Sequence, residues 1–139
     1  VPTLDPDDAA ARFAAARVAR LATVSGDGVP HLVPVVFAVA GPRVLIAVDG
    51  KPKRTRSLRR LANIADDPAV CLLVDEYAED WSALWWVRAD GHAVVRDDDE
   101  ALAEARAALG ARYPQHVADP PAGPVIEVTV ARWSGWTAS

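Results

Sequence analysis

The run from Val29 to Val39 limits the fold more than any other stretch. Val29, His31, Val33, Val35, Phe37 and Val39 fall on one face, and Pro30, Leu32, Pro34, Val36 and Ala38 on the other. That period of two is a strand pattern. Pro30 and Pro34 each lack a backbone donor, so the strand belongs at a sheet edge or carries bulges. Broken edges of this kind often lie beside ligands. Gly26-Asp27-Gly28 just before it is a hairpin signal and pairs it with a first strand over Leu21–Ser25.

The remaining elements follow from their punctuation. Asp5 is a helix cap with Pro6 at the first position and Asp7 and Asp8 in the first turn, and that helix runs to about Arg20. Ala40-Gly41-Pro42 turns the chain into a third strand, Arg43 to Val48. A second helix runs to about Ala65, where Asp66-Asp67-Pro68 ends it. Val70 to Glu76 reads as a buried strand. Trp81 to Val95 reads as one long strand bent near Asp90-Gly91. Asp97 caps a third helix that runs to about Tyr113, and Val125 to Val130 is the last strand. Six short strands, mostly hairpin-linked, with three helices indicate a mainly β fold, a small antiparallel barrel with peripheral helices. At 139 residues the chain is expected to form a single domain.

Composition narrows the chemistry. The longest apolar stretch, Leu32 to Ala40, is too short to span a bilayer and contains Pro34. No signal-peptide layout precedes the first helix, and one cysteine, Cys71, excludes an internal disulfide, so the cytoplasm is the expected compartment. His31, His92 and His116 are too far apart for a short-spaced metal-ligand pair. No phosphate-loop, dinucleotide-binding or nucleophile-elbow motif occurs.

Between the third strand and the second helix lies KPKRTRSLRR, Lys51 to Arg60. Six of its ten residues are basic in a chain whose formal charge is -4. A solvated face, a nucleic-acid patch and a site for a small anion all suit such a run. The sequence pI of about 5.3 argues against nucleic acid, whose binders carry a broad basic surface. A basic turn that opens a helix is well placed to hold phosphate, because the helix start supplies free N–H donors and positive dipole.

Four segments resemble a known family. They are Leu21-Ala22-Thr23-Val24 with Gly28 to Val35; Ile46 to Lys53; Arg60-Leu61-Ala62-Asn63-Ile64 before Asp67-Pro68; and Asp80-Trp81 with Leu84 to Gly91. The chain resembles the pyridoxamine 5′-phosphate oxidase-like superfamily of flavin- and deazaflavin-binding proteins, and within it the small actinobacterial coenzyme F420-dependent enzymes. The resemblance covers roughly residues 10 to 135. It implies a six-stranded antiparallel split β-barrel of the FMN-binding kind. It implies a homodimer with the cofactor at the subunit interface, and no nucleic-acid or membrane partner.

The resemblance also implies site residues. Arg60, Asn63 and Pro68 match the family's spacing of a basic residue, an Asn and a Pro at the phosphate-binding helix. Lys51, Lys53 and Arg54 are further cations upstream, and either set suits the phosphate. Pro34, Val35, Ala47, Val48 and Asp49 match the positions that lie against the ring system, where backbone groups serve. Trp85 and Trp86 point to opposite faces of a strand, so one fills the barrel while the other meets a cofactor ring or a partner chain. Arg88 shares the facing of Trp86, and a surface ion pair is its plainer role. The implied cofactor is coenzyme F420, with FMN as the alternative. The implied activity is hydride transfer to a small organic substrate, and a cofactor-binding protein without turnover is the rival. No catalytic residue can be named; His31 and His92 are weak candidates for a proton donor. The chain ends Arg132-Trp133-Ser134-Gly135-Trp136 and lacks the Arg-x-His signature of vitamin B6 oxidation.

Overall fold

The computed structural model of the chain describes residues 3–48 and 54–139, the side chains of residues 54–58 excepted. Seven strands form one antiparallel sheet: β1 (Ala19–Val24), β2 (Pro30–Val35), β3 (Ala38–Ala40), β4 (Arg43–Ala47), β5 (Ala69–Glu76), β6 (Trp85–Arg96) and β7 (Val125–Thr137). Their order is β2-β1-β5-β6-β7-β4-β3. Four α-helices accompany them: α1 (Pro6–Ala15), α2 (Arg54–Asp66), α3 (Asp99–Gly110) and α4 (Pro114–Ala118).

The order and the chain connection together define the shape. β2 and β3 lie at opposite edges of the sheet, yet only Val36 and Phe37 separate them in sequence. Two residues span a few ångströms, so the sheet must curl until its edges approach. The two edge strands share no ladder, and the barrel is therefore split rather than closed.

The strand count is seven rather than six because the expected strand Val29–Val39 divides at Val36-Phe37. The cause is a competing set of partners. The Phe37 carbonyl accepts from Arg112 Nη1 at 2.7 Å and lies 3.0 Å from the Tyr113 hydroxyl. That hydroxyl also reaches the Arg17 carbonyl at 2.9 Å and lies 3.4 Å from the Phe37 amide. Side chains that follow α3 thus occupy the backbone groups a continuous strand would offer to a ladder. Pro30 and Pro34 both sit on edge strand β2, where a missing donor is tolerated.

The helices pack against the sheet. In α1, Asp5 accepts from the Asp8 amide at 2.9 Å. α1 ends at Ala15 rather than near Arg20, since Arg20 is already paired in β1 with Pro34 and Leu73. Its fully buried Phe13 meets Phe37 at 4.8 Å and Trp133 at 5.1 Å between ring centroids. The interior between the strands is filled by Leu21, Val44, Ile46, Leu72, Val87 and Ile126, and Ile64 of α2 joins it. On the outside, α3 is held to the sheet by Arg43, which bridges Glu104 and Glu127. Arg96 extends that network from Glu127 to Asp98, the N-cap of α3.

The bend expected near Asp90-Gly91 is a bulge in the β6–β7 ladder: Asp90 pairs with Arg132 and Gly91 with Val130, leaving Ala131 over. A Cβ on Gly91 would lie 2.2 Å from the Thr129 carbonyl oxygen, so only glycine fits that approach. Among the described residues no helix is long and apolar enough to cross a membrane.

Candidate functional site

Helix α2 packs on β1 and β6 at one end of the barrel. It is anchored by Asn63, 6% exposed, whose Nδ2 donates to Thr23 Oγ1 at 3.0 Å. One turn earlier come Arg59, exposed, and Arg60, half-buried. Neither forms an ion pair among the described residues. Arg60 Nε is sealed from solvent without a hydrogen-bond partner, and burial draws this guanidinium below its ordinary pKa. Such an uncompensated cation is costly to fold around, and a bound anion relieves the cost.

A cavity of about 280 Å³ lies between this helix and the β1–β2 hairpin. Arg59 and Asn63 line it from α2; Ser25, Asp27, Pro30 and His31 line it from the hairpin. His31 pairs across the ladder with Thr23, so it sits beside the Asn63 anchor. Its Nδ1 is buried without a partner. Desolvation first, then the charges of Arg59 and Arg60, hold the imidazole below the usual histidine range. Asp27 is engaged elsewhere: the Ser25 hydroxyl donates to it and, with its own backbone amide, keeps its carboxyl low. The cavity thus sets Arg59 and His31 in one lining with a carboxylate that Ser25 already engages.

The other expected site residues fall into separate places. Val35 and Val48 are buried in the barrel. The Val48 amide already donates to the Pro124 carbonyl at 2.8 Å, so that donor is engaged. Ala47 pairs with Val125 and packs against the satellite cluster of Ala38, Leu109 and Tyr113. Asp49, Lys51 and Lys53 lie outside the described residues, as does the side chain of Arg54, whose backbone opens α2.

Pro34, Trp86 and Arg88 share the outward face of the sheet. Pro34 stands opposite Arg20, Arg20 opposite Leu73, and Leu73 opposite Arg88, in one row across four strands. Trp86 is the outward tryptophan of the pair. With Leu73, Asp75, Tyr77 and Arg88 it lines a shallow cavity of about 270 Å³. The Arg88 guanidinium lies 5.8 Å from the Trp86 ring centre and pairs with Asp90 at 3.0 Å. Trp85 turns the other way, packs against the core, and donates its Nε1 to Glu76 at 2.9 Å. The same outward face exposes Leu32 (66%) and Leu73 (38%), apolar surface that a lone barrel leaves wet. His92 is exposed on that side of β6.

Within one protomer the structure therefore brings Arg60 and Asn63 together on α2, and Pro34, Trp86 and Arg88 together on the sheet face. It does not merge the two groups. Arg59 and His31 both line this cavity, although Arg59 is absent from the site residues expected from sequence and His31 enters there only as a proton-donor candidate. The signal was available: Arg59 is four residues before Asn63 and so shares its helix face, and the strand alternation puts His31 on the face of Val33 and Val35.

Comparison with known proteins fits this geometry. A conserved hypothetical protein from Mycobacterium tuberculosis has the same fold, with TM-score 0.76 and 21% identity over 97% of this chain and 86% of that one. A FAD-binding protein from Mesorhizobium loti gives TM-score 0.75 and 22% identity, covering 99% of this chain and 97% of the other. A heme storage protein from Vibrio cholerae gives TM-score 0.70 at 16% identity, covering 96% and 95%. No curated protein sequence matches the chain. The family model for pyridoxamine 5′-phosphate oxidase matches residues 6–137, and with nearly the whole barrel inside that match the chain belongs to this family of split barrels.

Proposed function

We propose that this protein binds a flavin-type cofactor and serves as an oxidoreductase on a small organic substrate, with coenzyme F420 preferred over FMN. The observation that carries the reading is the orphaned Arg60 guanidinium, half-buried and without a counter-ion among the described residues. A phosphate or phosphodiester supplies that counter-ion. Arg60 would hold the phosphate, helped by Lys51, Lys53 and Arg54, while Asn63 keeps the helix seated on Thr23. The preference for coenzyme F420 rests on the number of cations in Lys51–Arg60, more than a single FMN phosphate requires.

When bound, the cofactor would supply hydride transfer, and the protein's share is binding, orientation and exclusion of water. Pro34, Trp86 and Arg88 offer a flat aromatic and cationic surface on the outward face. Exposed Leu32 and Leu73 on that face support a homodimer in which a second copy covers it and the ring lies at the seam. Val35, Ala47, Val48 and Asp49 would then form the wall nearest the ring edge, through backbone groups other than the engaged Val48 amide.

Titrating the purified protein with coenzyme F420 and with FMN, followed by fluorescence, tests the reading. Saturable binding of coenzyme F420 tighter than FMN supports it. Tighter FMN reverses the preference, and binding of neither overturns the cofactor assignment. Cofactor that binds tightly in its reduced form yet is never oxidised by a panel of enones and quinones would instead make this a carrier. A Mycobacterium smegmatis protein described as FAD-binding, of like fold at TM-score 0.68, lends weight to the flavin class.

A further inference from the structure

The hairpin cavity beside α2 contains a titratable group with no assigned role. We propose that this cavity is an oxyanion subsite in which His31 takes up a proton as the anion docks, so that a guanidinium and an imidazolium hold the anion together. The proposal deepens the cofactor reading above, and rests on it only for the case in which the anion belongs to the cofactor.

Geometry carries it. Arg59 and Asn63 form one wall and His31 the facing one, around about 280 Å³, ample for a phosphate, sulfate or carboxylate. A protonated imidazole needs an acceptor at both nitrogens. The protein gives His31 Nδ1 none, which, with desolvation and the two arginines, disfavours the charged ring. The charged groups around it among the described residues are Arg59 and Arg60 from α2, Asp27 in the hairpin turn, and Asp66, which lies against Gly26. The two arginines repel a charged ring, and Asp27 is turned onto Ser25. A docked anion reverses that balance by offsetting the guanidinium charges beside the ring. The proton comes from solvent, and no covalent bond changes. A phosphate or carboxylate on the cofactor tail and a free small anion share this chemistry.

The test is an NMR titration of the three histidine rings, with His31 assigned through His31→Gln. Sulfate is the first probe because it keeps its double charge from pH 5 to 8; sodium chloride at matched ionic strength is the reference. Saturating sulfate should raise the His31 pKa by about one unit, so sulfate should bind up to about tenfold tighter in all as pH falls through that window. Arg59→Gln, an exposed position, should abolish the shift with the fold intact. FMN and coenzyme F420 form the second arm. A His31 shift with either cofactor identifies the cofactor tail as the source; a shift with sulfate alone identifies a free anion. A cofactor that binds while His31 stays unmoved by every probe overturns the subsite and leaves the cofactor reading standing. Sulfate that moves His31 while neither cofactor binds does the reverse.

Discussion

Asn63 on α2 donates to Thr23 on β1 at 3.0 Å, a buried bond that fixes Arg59 and Arg60 in position over the hairpin. One side-chain pair thus links the barrel wall to the helix that carries the proposed anion site.

Removing that pair tests the link. Asn63→Ala leaves the Thr23 hydroxyl buried without its donor and opens a small void. The expected loss is about 1–3 kcal/mol of stability. Denaturant unfolding measures it, and a double variant with Thr23→Val should cost less than the sum of the two single changes.

Arg60 should separate binding from stability. Losing one charged phosphate contact costs about 1.5–3 kcal/mol of binding, so Arg60→Ala should weaken the cofactor about ten- to a hundredfold. Arg60→Leu should leave the ligand-free midpoint unchanged or higher, because it removes a desolvated cation that lacks a partner. A large fall in stability would mean that this guanidinium serves the fold rather than a ligand.

Tyr113 should matter for the break between β2 and β3. Tyr113→Phe removes a buried hydroxyl that reaches the Arg17 and Phe37 carbonyls. We expect a loss of about 1–2 kcal/mol, read as a lower denaturant midpoint with an unchanged slope.

His31 gives a stability profile with a defined sign. Its folded pKa lies below the unfolded value of about 6.5. Above that value both states are neutral and its contribution is complete. As pH falls below it, the unfolded chain takes up a proton that the folded ring resists, and stability declines until the folded pKa is passed. His31→Gln should flatten that part of the curve. Saturating sulfate should flatten it as well, if the anion brings a proton to the ring.

Much of the architecture was legible because its signals are local. The cap at Asp5, the turn at Gly26 to Gly28 and the bend at Asp90-Gly91 all stand where the residues placed them. The division of the second strand was not legible, since alternation continues straight through Val36 and Phe37. The partners that divide it, Arg112 and Tyr113, come from far along the chain. α4 was hidden for a similar reason: it is short, and no side chain caps it. In the site, the spacing of Arg60 and Asn63 marked the helix, but only the folded chain shows Asn63 turned inward to Thr23. Pairing His31 with Arg59 needed the hairpin laid against the helix, which no run of neighbouring residues displays.

The place of β7 between β6 and β4 has a temporal consequence. β4 leaves the ribosome well before its partner: apart from the short β3 its neighbour in the sheet is β7, which lies far along the chain. Until that segment arrives, β4 presents an unzipped margin of Val44, Leu45 and Ile46, a surface prone to sticking to other chains. Assembly of the sheet must therefore wait until β7 has been made, and the dominance of such distant pairings should make refolding slow for a domain of this size.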